Sequence, residues 1–441
     1  MAVLGCIADD FTGASDAASF LVKGGMSVRL FNGIPDRQVT EMSGEGWDGD
    51  RTGRDGQTDR DRADRDGQKD ESQAIVIALK SRTQETGQAV ADSLTAAHFL
   101  LDHGVKQIYF KYCSTFDSTP QGNIGPVADA LMDLMKVPYT LLCPALPVNG
   151  RTVENGKLMV NGVLLHESHM KNHPLTPMWD SRIDQLMKPQ SRYSCRCLDM
   201  NDWKSEEPAG NREPFYFIPD YVKPEDGERI AAAFGHLPFL TGGSGLLEPL
   251  ARLWTKKLSS HGIIPENAAA GKALLLAGSC SKATLEQIAW YQNQGHPAYR
   301  LDPREMLEGR QTVEDAWRFV EQYGSSLETV LVYSSDTPEK VREYQKLGTE
   351  KVAAMLEGAT AELAVRAVKA GYTRIISAGG ETSGAVTKGL GFSSYWMGES
   401  VAPGVPIMVP AERPDIRLIL KSGNFGQEDF FGRALAMTEK H

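Results

Sequence analysis

Apolar residues fall in short unbroken runs along this chain, and most runs end in a cluster of glycine, serine, threonine or aspartate. Ala2–Ala8, Ser27–Phe31, Ala74–Leu79, Gln107–Lys111 and Tyr139–Cys143 are such runs, and Phe215–Pro219 and Pro238–Leu240 follow. Their length and lack of alternation predict strands buried on both faces. Between them, Ser15–Val22 and Glu85–His103 carry helical spacing and stop at Gly24-Gly25 and at Gly104. Lys157–Ser168 holds Asn161-Gly162 between two apolar runs, which predicts a β-hairpin. Later come strands at Ala273–Leu276, Thr329–Tyr333, around Ile375-Ile376 and at Arg417–Lys421, with a helix over Ala283–Asn293 and a helix-rich stretch from Pro338 to Ala370. Strands alternating with helices predict an α/β protein of two domains, each a mainly parallel sheet flanked by helices. SSHGIIPENAAAG, between Lys257 and Gly271, places the boundary, giving domains over 1–257 and 271–441.

One segment breaks the pattern. Ser43 to Gln73 is rich in Asp, Arg and Gly and nearly free of apolar residues, so a solvated, disordered insertion with no assigned function is expected there. With 441 residues, 41% hydrophobic and 24% charged, the chain has the composition of a soluble globular protein. A net charge of −10 argues against nucleic-acid binding, so small anions must be captured by local donors. No stretch has the length of a membrane span, and MAVLGCIADD lacks the basic start of a signal peptide. Six cysteines without a CxxC pair suit reduced thiols, and a cytoplasmic location is expected.

The candidate chemistry sits where the runs stop. Asp9-Asp10 ends the first strand just before a helix; one of them, or Thr12, suits a helix cap, and either carboxylate suits hydroxyl binding, Mg²⁺ or general base work. Lys80-Ser81-Arg82-Thr83 ends another strand. Lys111 ends a third and would offer a cation to a carboxylate or phosphate. The loop YCSTFDSTPQGNIG at Tyr112–Gly125 is dense in short hydrogen-bonding side chains and suits a polyhydroxylated ligand. Asn149 and Arg151 lie near the hairpin. In TRIISAGGETSGAVTKGLG, Thr373–Gly391, a strand breaks at Gly379-Gly380 and runs into a helix that Thr382 or Ser383 could cap. That shape makes an anion site, although it fits neither G-x-x-x-x-G-K-[ST] nor G-x-G-x-x-G. Similar turns follow the strands at Gly278-Ser279 and Ser422-Gly423, so the three could converge on one nucleotide.

IADDFTGASDAA at Ile7–Ala18, DSTPQGNIG at Asp117–Gly125, NGRT at Asn149–Thr152 and AGGETSGAV at Ala378–Val386 together resemble the four-carbon acid sugar kinase family, and the loop around Asp117 resembles its 3-oxo-tetronate kinase branch. The family's threonate and erythronate kinases carry an Arg where Pro120 stands here. The resemblance implies that the N-terminal half binds the acid sugar, the C-terminal half binds ATP, and the active site lies in the cleft between them. It implies an enzyme that transfers the γ-phosphoryl group to the 4-hydroxyl of a 3-oxo four-carbon sugar acid, with Mg²⁺ neutralising charge. Nucleotide contacts carry over to Ser279, Gly379, Gly380, Glu381, Thr382 and Gly423. Thr12, Ser81, Arg82, Lys111, Ser118, Thr119, Asn123, Asn149 and Arg151 are the candidates for substrate, and Asp9, Asp10 and Asp117 for the base. A related threonate or erythronate kinase is the alternative, and a non-catalytic sugar-acid-binding regulator is the rival of another class. A nicotinamide dehydrogenase would need a G-x-G-x-x-G turn, which is missing. Metal ligands and oligomeric state are left open; a homodimer is one option.

Overall fold

The computed structural model describes residues 2–35, 72–172, 176–201, 203, 213–258, 264–324 and 329–440. The chain divides into two compact units, Met1–Ile264 and Pro265–His441. In the first, the apolar runs become β1 (Leu4–Ala8), β2 (Val28–Asn32), β3 (Ala74–Ala78), β4 (Gln107–Lys111) and β5 (Tyr139–Cys143). After β6 (Arg151–Glu154), β7 (Lys157–Val160) and β8 (Val163–Leu164) come β9 (Ser194–Leu198), β10 (Phe215–Pro219) and β11 (Phe239–Gly242). The main strands pair in parallel in the order β2-β3-β1-β4-β11-β5-β10-β9. β1 and β3–β5 are buried along their whole length, which is why they read as unbroken apolar runs.

Helices α1 (Phe11–Lys23), α2 (Thr86–Asp102) and α3 (Ile124–Met135) follow β1, β3 and β4. Asp10 caps α1 by accepting the Gly13 N–H at 2.6 Å, as the sequence allows. β6–β8 form a separate antiparallel sheet in which Val160 pairs with Val163. The intervening Asn161 and Gly162 take φ of 51° and 79°, the left-handed pair that a two-residue hairpin turn needs.

The second unit contains β12 (Lys272–Ala277), β13 (Ala298–Arg300), β14 (Thr329–Tyr333), β15 (Tyr372–Ala378), β16 (Ser394–Ala402), β17 (Val405–Pro410) and β18 (Arg417–Lys421). Its order is β13-β14-β12-β15-β18-β17-β16, parallel from β13 to β18 and antiparallel across the last three strands. Its core joins Leu275, Ile376 and Ile419 of the central strands to Phe430 and Phe431 of the C-terminal helix.

Two expectations need correction. Ser72 and Gln73 do not belong to the charged segment. Both are buried, and Gln73 meets Ser27 through two 3.1 Å hydrogen bonds, Ser27 N–H to Oε1 and Gln73 N–H to the Ser27 hydroxyl. Residues 43–71 lie outside the described residues. Neither Thr382 nor Ser383 caps the helix after β15; it begins at Gly380, with Gly379 at the cap position and φ of 132°. The chain turns so sharply there that the cap falls three residues before Thr382, in a conformation only glycine adopts readily. The helix α3 and the antiparallel strands β16 and β17 were not marked by the apolar pattern. Among the described residues no helix is long and apolar enough to cross a membrane.

Candidate active site

Strand order fixes where each unit can bind a ligand. From β1 the chain moves to β2 and β3 on one side, then crosses to β4 on the other. The connections therefore diverge at the carboxyl ends of β1 and β4, which opens a crevice there. In the second unit the chain passes from β12 to β13 and β14, then crosses to β15, so the same divergence lies between β12 and β15.

In the first unit a small pocket at that point is lined by Asp9, Ser81, Arg82, Asp117, Ser118 and Asn123, with Phe110 and Ile124 as its apolar wall. Asp9 is 3% exposed. Arg82 donates from Nε to Asp9 Oδ2 and from Nη2 to Oδ1, both at 2.9 Å, and Nη1 meets Asp10 Oδ2 at 2.9 Å. Burial pushes the Asp9 carboxyl above the usual carboxylate range, against the pull of Arg82. Burial opposes the Arg82 charge in turn, but Asp9 and Asp10 outweigh it and hold the guanidinium well above its ordinary value. Of the five guanidinium N–H groups, these three contacts leave two for a ligand.

Lys111, also 3% exposed, ends β4 behind this pair. Burial disfavours its charge, yet Asp16, Asp9 and Asp10 together raise its pKa. Asp16, on the buried face of α1, accepts the Ser244 hydroxyl at 2.5 Å and has its other oxygen without a hydrogen bond among the described residues. Sequence reasoning passed over Asp16 and Ser244. The available signal was an acid at helical spacing among Ala14, Ala17 and Ala18.

The loop after β4 supplies the remaining polar groups. Asp117 Oδ1 accepts from Thr115 Oγ at 2.6 Å, and among the described residues no hydrogen bond reaches Oδ2. Ser118 donates to Gln190 Oε1 at 3.0 Å. Asn123 ties the loop to β3's end: its Nδ2 donates to the Ser81 and Gln84 carbonyls at 2.7 and 2.9 Å, and its Oδ1 accepts from Thr86 at 2.9 Å. The Ser81 hydroxyl is buried with no partner among the described residues. Thr119 accepts the Gly122 N–H through its carbonyl, and the Thr12 carbonyl accepts from Ser15. Asn149 and Arg151 are not among the pocket's lining; Arg151 donates to the Asn149 carbonyl at the start of β6. Burial, with the nearby Asp117 charge, pushes the Cys113 thiol up to about 12.

In the second unit the turns after β12, β15 and β18 lie together. Gly278 and Ser279 donate backbone N–H groups to the Ala378 carbonyl, and Gly379 N–H donates to the Lys421 carbonyl at 2.9 Å. A side chain at Gly379 would come within 3.0 Å of the Ser279 nitrogen, and one at Gly423 would collide with the Ser279 hydroxyl. Beside Gly380, by contrast, there is open space. Ser279, Gly379, Gly380, Thr382 and Gly423 are therefore neighbours, and Glu381 stands exposed in the first helical turn. Lys421, which ends β18 as Lys111 ends β4, was passed over in the sequence. It is 1% exposed, and burial pulls its pKa down to about 7.

Comparison with known proteins covers both halves. Residues 4–250 match the sugar-binding N-terminal domain family and residues 274–431 match the nucleotide-binding C-terminal domain family. A 3-oxo-tetronate kinase of Pseudomonas savastanoi is 41% identical over 98% of this chain and 96% of its own length. One from Haemophilus influenzae is 38% identical, with 99% of this chain and all of the relative covered. A solved structure from Salmonella typhimurium superposes with a TM-score of 0.85 at 35% identity over the whole of both chains. Another, from Haemophilus influenzae, gives 0.77 at 37% identity, covering 98% of this chain and 99% of its own.

Proposed function

This chain belongs to the four-carbon acid sugar kinase family, and from that premise we infer that it is an ATP-dependent 3-oxo-tetronate kinase, a phosphotransferase with an alcohol group as acceptor. The observation that carries the reading is full-length similarity to several proteins named 3-oxo-tetronate kinase. The product is the 4-phosphate of a 3-oxo four-carbon sugar acid. We assign the acid to the pocket around Arg82 and the nucleotide to the turns at Ser279, Gly379–Thr382 and Gly423.

Phosphoryl transfer asks the protein for positioning and for charge stabilisation. Arg82 has two N–H groups left for an anionic or carbonyl oxygen of the acid, and Asp9 holds the guanidinium in orientation. Among the three candidate bases, both oxygens of Asp9 are engaged by Arg82, and those of Asp10 by Gly13 and Arg82. Asp117 lines the pocket with Oδ1 held by Thr115, which favours Oδ2 as acceptor of the 4-hydroxyl proton. Backbone N–H groups at the start of the helix after Gly379 suit the charge on the transferring phosphoryl oxygens. Among the described residues no group of three or more acidic, histidine or cysteine side chains could hold a metal. Mg²⁺ therefore fits as an ion carried on the phosphates, as is usual for nucleotide sites; Glu381 is the carboxylate adjoining that turn. Bound there, it would neutralise phosphate charge. Six free thiols suit a reducing, cytoplasmic setting.

ADP release, measured with a panel of four-carbon acids, tests the reading. Turnover is expected with 3-oxo acids and weak or none with threonate and erythronate. Preference for either of the latter would move the chain to the other branch, and acid binding without ADP release would make it a binding protein.

A further inference from the structure

Among the described residues Lys421 has no acidic partner. Its ammonium donates to Thr284 Oγ at 3.0 Å, to the Gly423 carbonyl at 2.9 Å and to the Ser422 carbonyl at 3.2 Å, and lies 5.7 Å from the centre of the Phe430 ring. The elements packed round it offer Thr284 from the helix Lys282–Asn293 and Phe430 from the C-terminal helix. Ser383 approaches the Lys421 carbonyl, and no ionisable side chain is paired with it among the described residues.

The Gly423 carbonyl receives two further donors, Ser281 Oγ at 2.7 Å and Thr284 Oγ at 2.9 Å. Three donors converging on one oxygen fix the direction of that peptide. In a planar trans peptide the N–H points opposite to the C=O, so the Asn424 N–H points away from Lys421. Asn424 is exposed, and among the described residues no acceptor takes its N–H. This donor therefore emerges from the third of the turns assigned to the nucleotide.

We infer that Lys421 is a positioning residue of the nucleotide site: with Ser281 and Thr284 it holds the Gly423–Asn424 peptide with its N–H towards the triphosphate, whose charge balances the buried ammonium. This inference rests on the nucleotide reading above. A cation without a carboxylate partner is costly to bury, and a nearby anion favours its protonated form. Nucleotide binding should therefore draw a proton onto Lys421 at pH values where the free protein carries it only in part.

Calorimetry of Mg-ATP binding to the full chain at pH 8, in two buffers of different ionisation enthalpy, counts that proton. The wild type is expected to take up roughly half a proton or more. Lys421→Met should bind ATP at least about tenfold more weakly with no uptake, while its affinity for the acid is kept. Thr284→Val, which removes one donor from the same carbonyl, should weaken ATP binding several-fold and retain uptake. Wild-type protein that binds ATP without proton uptake overturns the inference, even where Lys421→Met does not fold. Equal ATP affinity in Lys421→Met and wild type does so too. Wild-type protein that binds the acid but no ATP overturns the nucleotide reading itself.

Discussion

Arg82 grips Asp9 through both carboxylate oxygens at 2.9 Å, although Asp9 directly follows β1 and Arg82 lies in the turn after the neighbouring β3. The pair is possible because those strands run parallel in register, Ala8 beside Ala78, so their carboxyl ends emerge side by side. Only a planar fork reaches Asp9 twice and Asp10 once. Arg82→Lys should therefore lower kcat/KM for the acid by about 10- to 100-fold, since a lysine cannot reproduce three directed contacts. The KM for ATP should stay near wild type; steady-state kinetics with each substrate varied in turn check both halves of the expectation.

Asp117→Asn should lower kcat by about two to four orders of magnitude, the usual loss for a general base. Its melting temperature should stay within about 2 °C of wild type, because a half-exposed loop residue contributes little to stability. Asp10→Asn makes the control: asparagine caps a helix as well as aspartate does, so stability should hold there too. Should Asp10→Asn be the crippled variant and Asp117→Asn the active one, the base has been misassigned.

Gly379 and Gly380 should respond in opposite ways. Gly379→Val meets a φ of 132° and the Ser279 nitrogen, so it should lower stability by roughly 2–4 kcal/mol. Gly380→Val faces open space and should fold normally, yet raise the KM for ATP strongly by obstructing phosphate approach. Thermal melts and ATP kinetics on both variants separate the two effects, and an unchanged ATP KM in Gly380→Val would remove this turn from the site.

Lys421 predicts a pH dependence of stability. Its pKa is about 7 in the folded chain, against roughly 10.4 unfolded. Between those values the unfolded chain binds more protons, so this group's contribution becomes more favourable as pH rises from about 7 to 10. Below 7 the penalty of the buried charge is fully present. Lys421→Met should therefore melt above wild type at pH 7, by roughly 2–4 kcal/mol, with the gap closing towards pH 10. Parallel melts of the two proteins over that range check the sign. A variant less stable than wild type at pH 7 would mean that the hydrogen bonds to Thr284 and Gly423 outweigh the desolvation.

Much of the fold was legible because strands buried on both faces must be apolar throughout. That constraint marked β1, β3, β4, β5 and β10 almost to the residue. It also marks the polar segments that follow the strands, and Asp9, Ser81, Arg82 and Asp117, which line one pocket, all lie in such segments. Strand order was not legible: the crossover that sets β4 beside β1 is a pairing between distant residues, with no local signature. Nor was Lys421, since a lysine closing an apolar strand looks the same whether acids surround it, as at Lys111, or none among the described residues is paired with it, as at Lys421. The helix cap at Gly379 was misplaced for a different reason. Side-chain capping preferences say nothing where the backbone itself makes the turn.

The central place of β1 also bears on how the protein is made. Leu4 pairs with Ala74 on one side and with Gln107 on the other. Once made, β1 therefore waits for partners that are translated much later. At the usual pace of synthesis, a hundred residues take roughly 5–20 s. During that interval LGCIA is an apolar segment with both hydrogen-bonding edges open, the kind of sequence that nascent-chain chaperones hold. Synthesis rate and chaperone supply, more than final stability, should then govern the yield of folded protein in a foreign host.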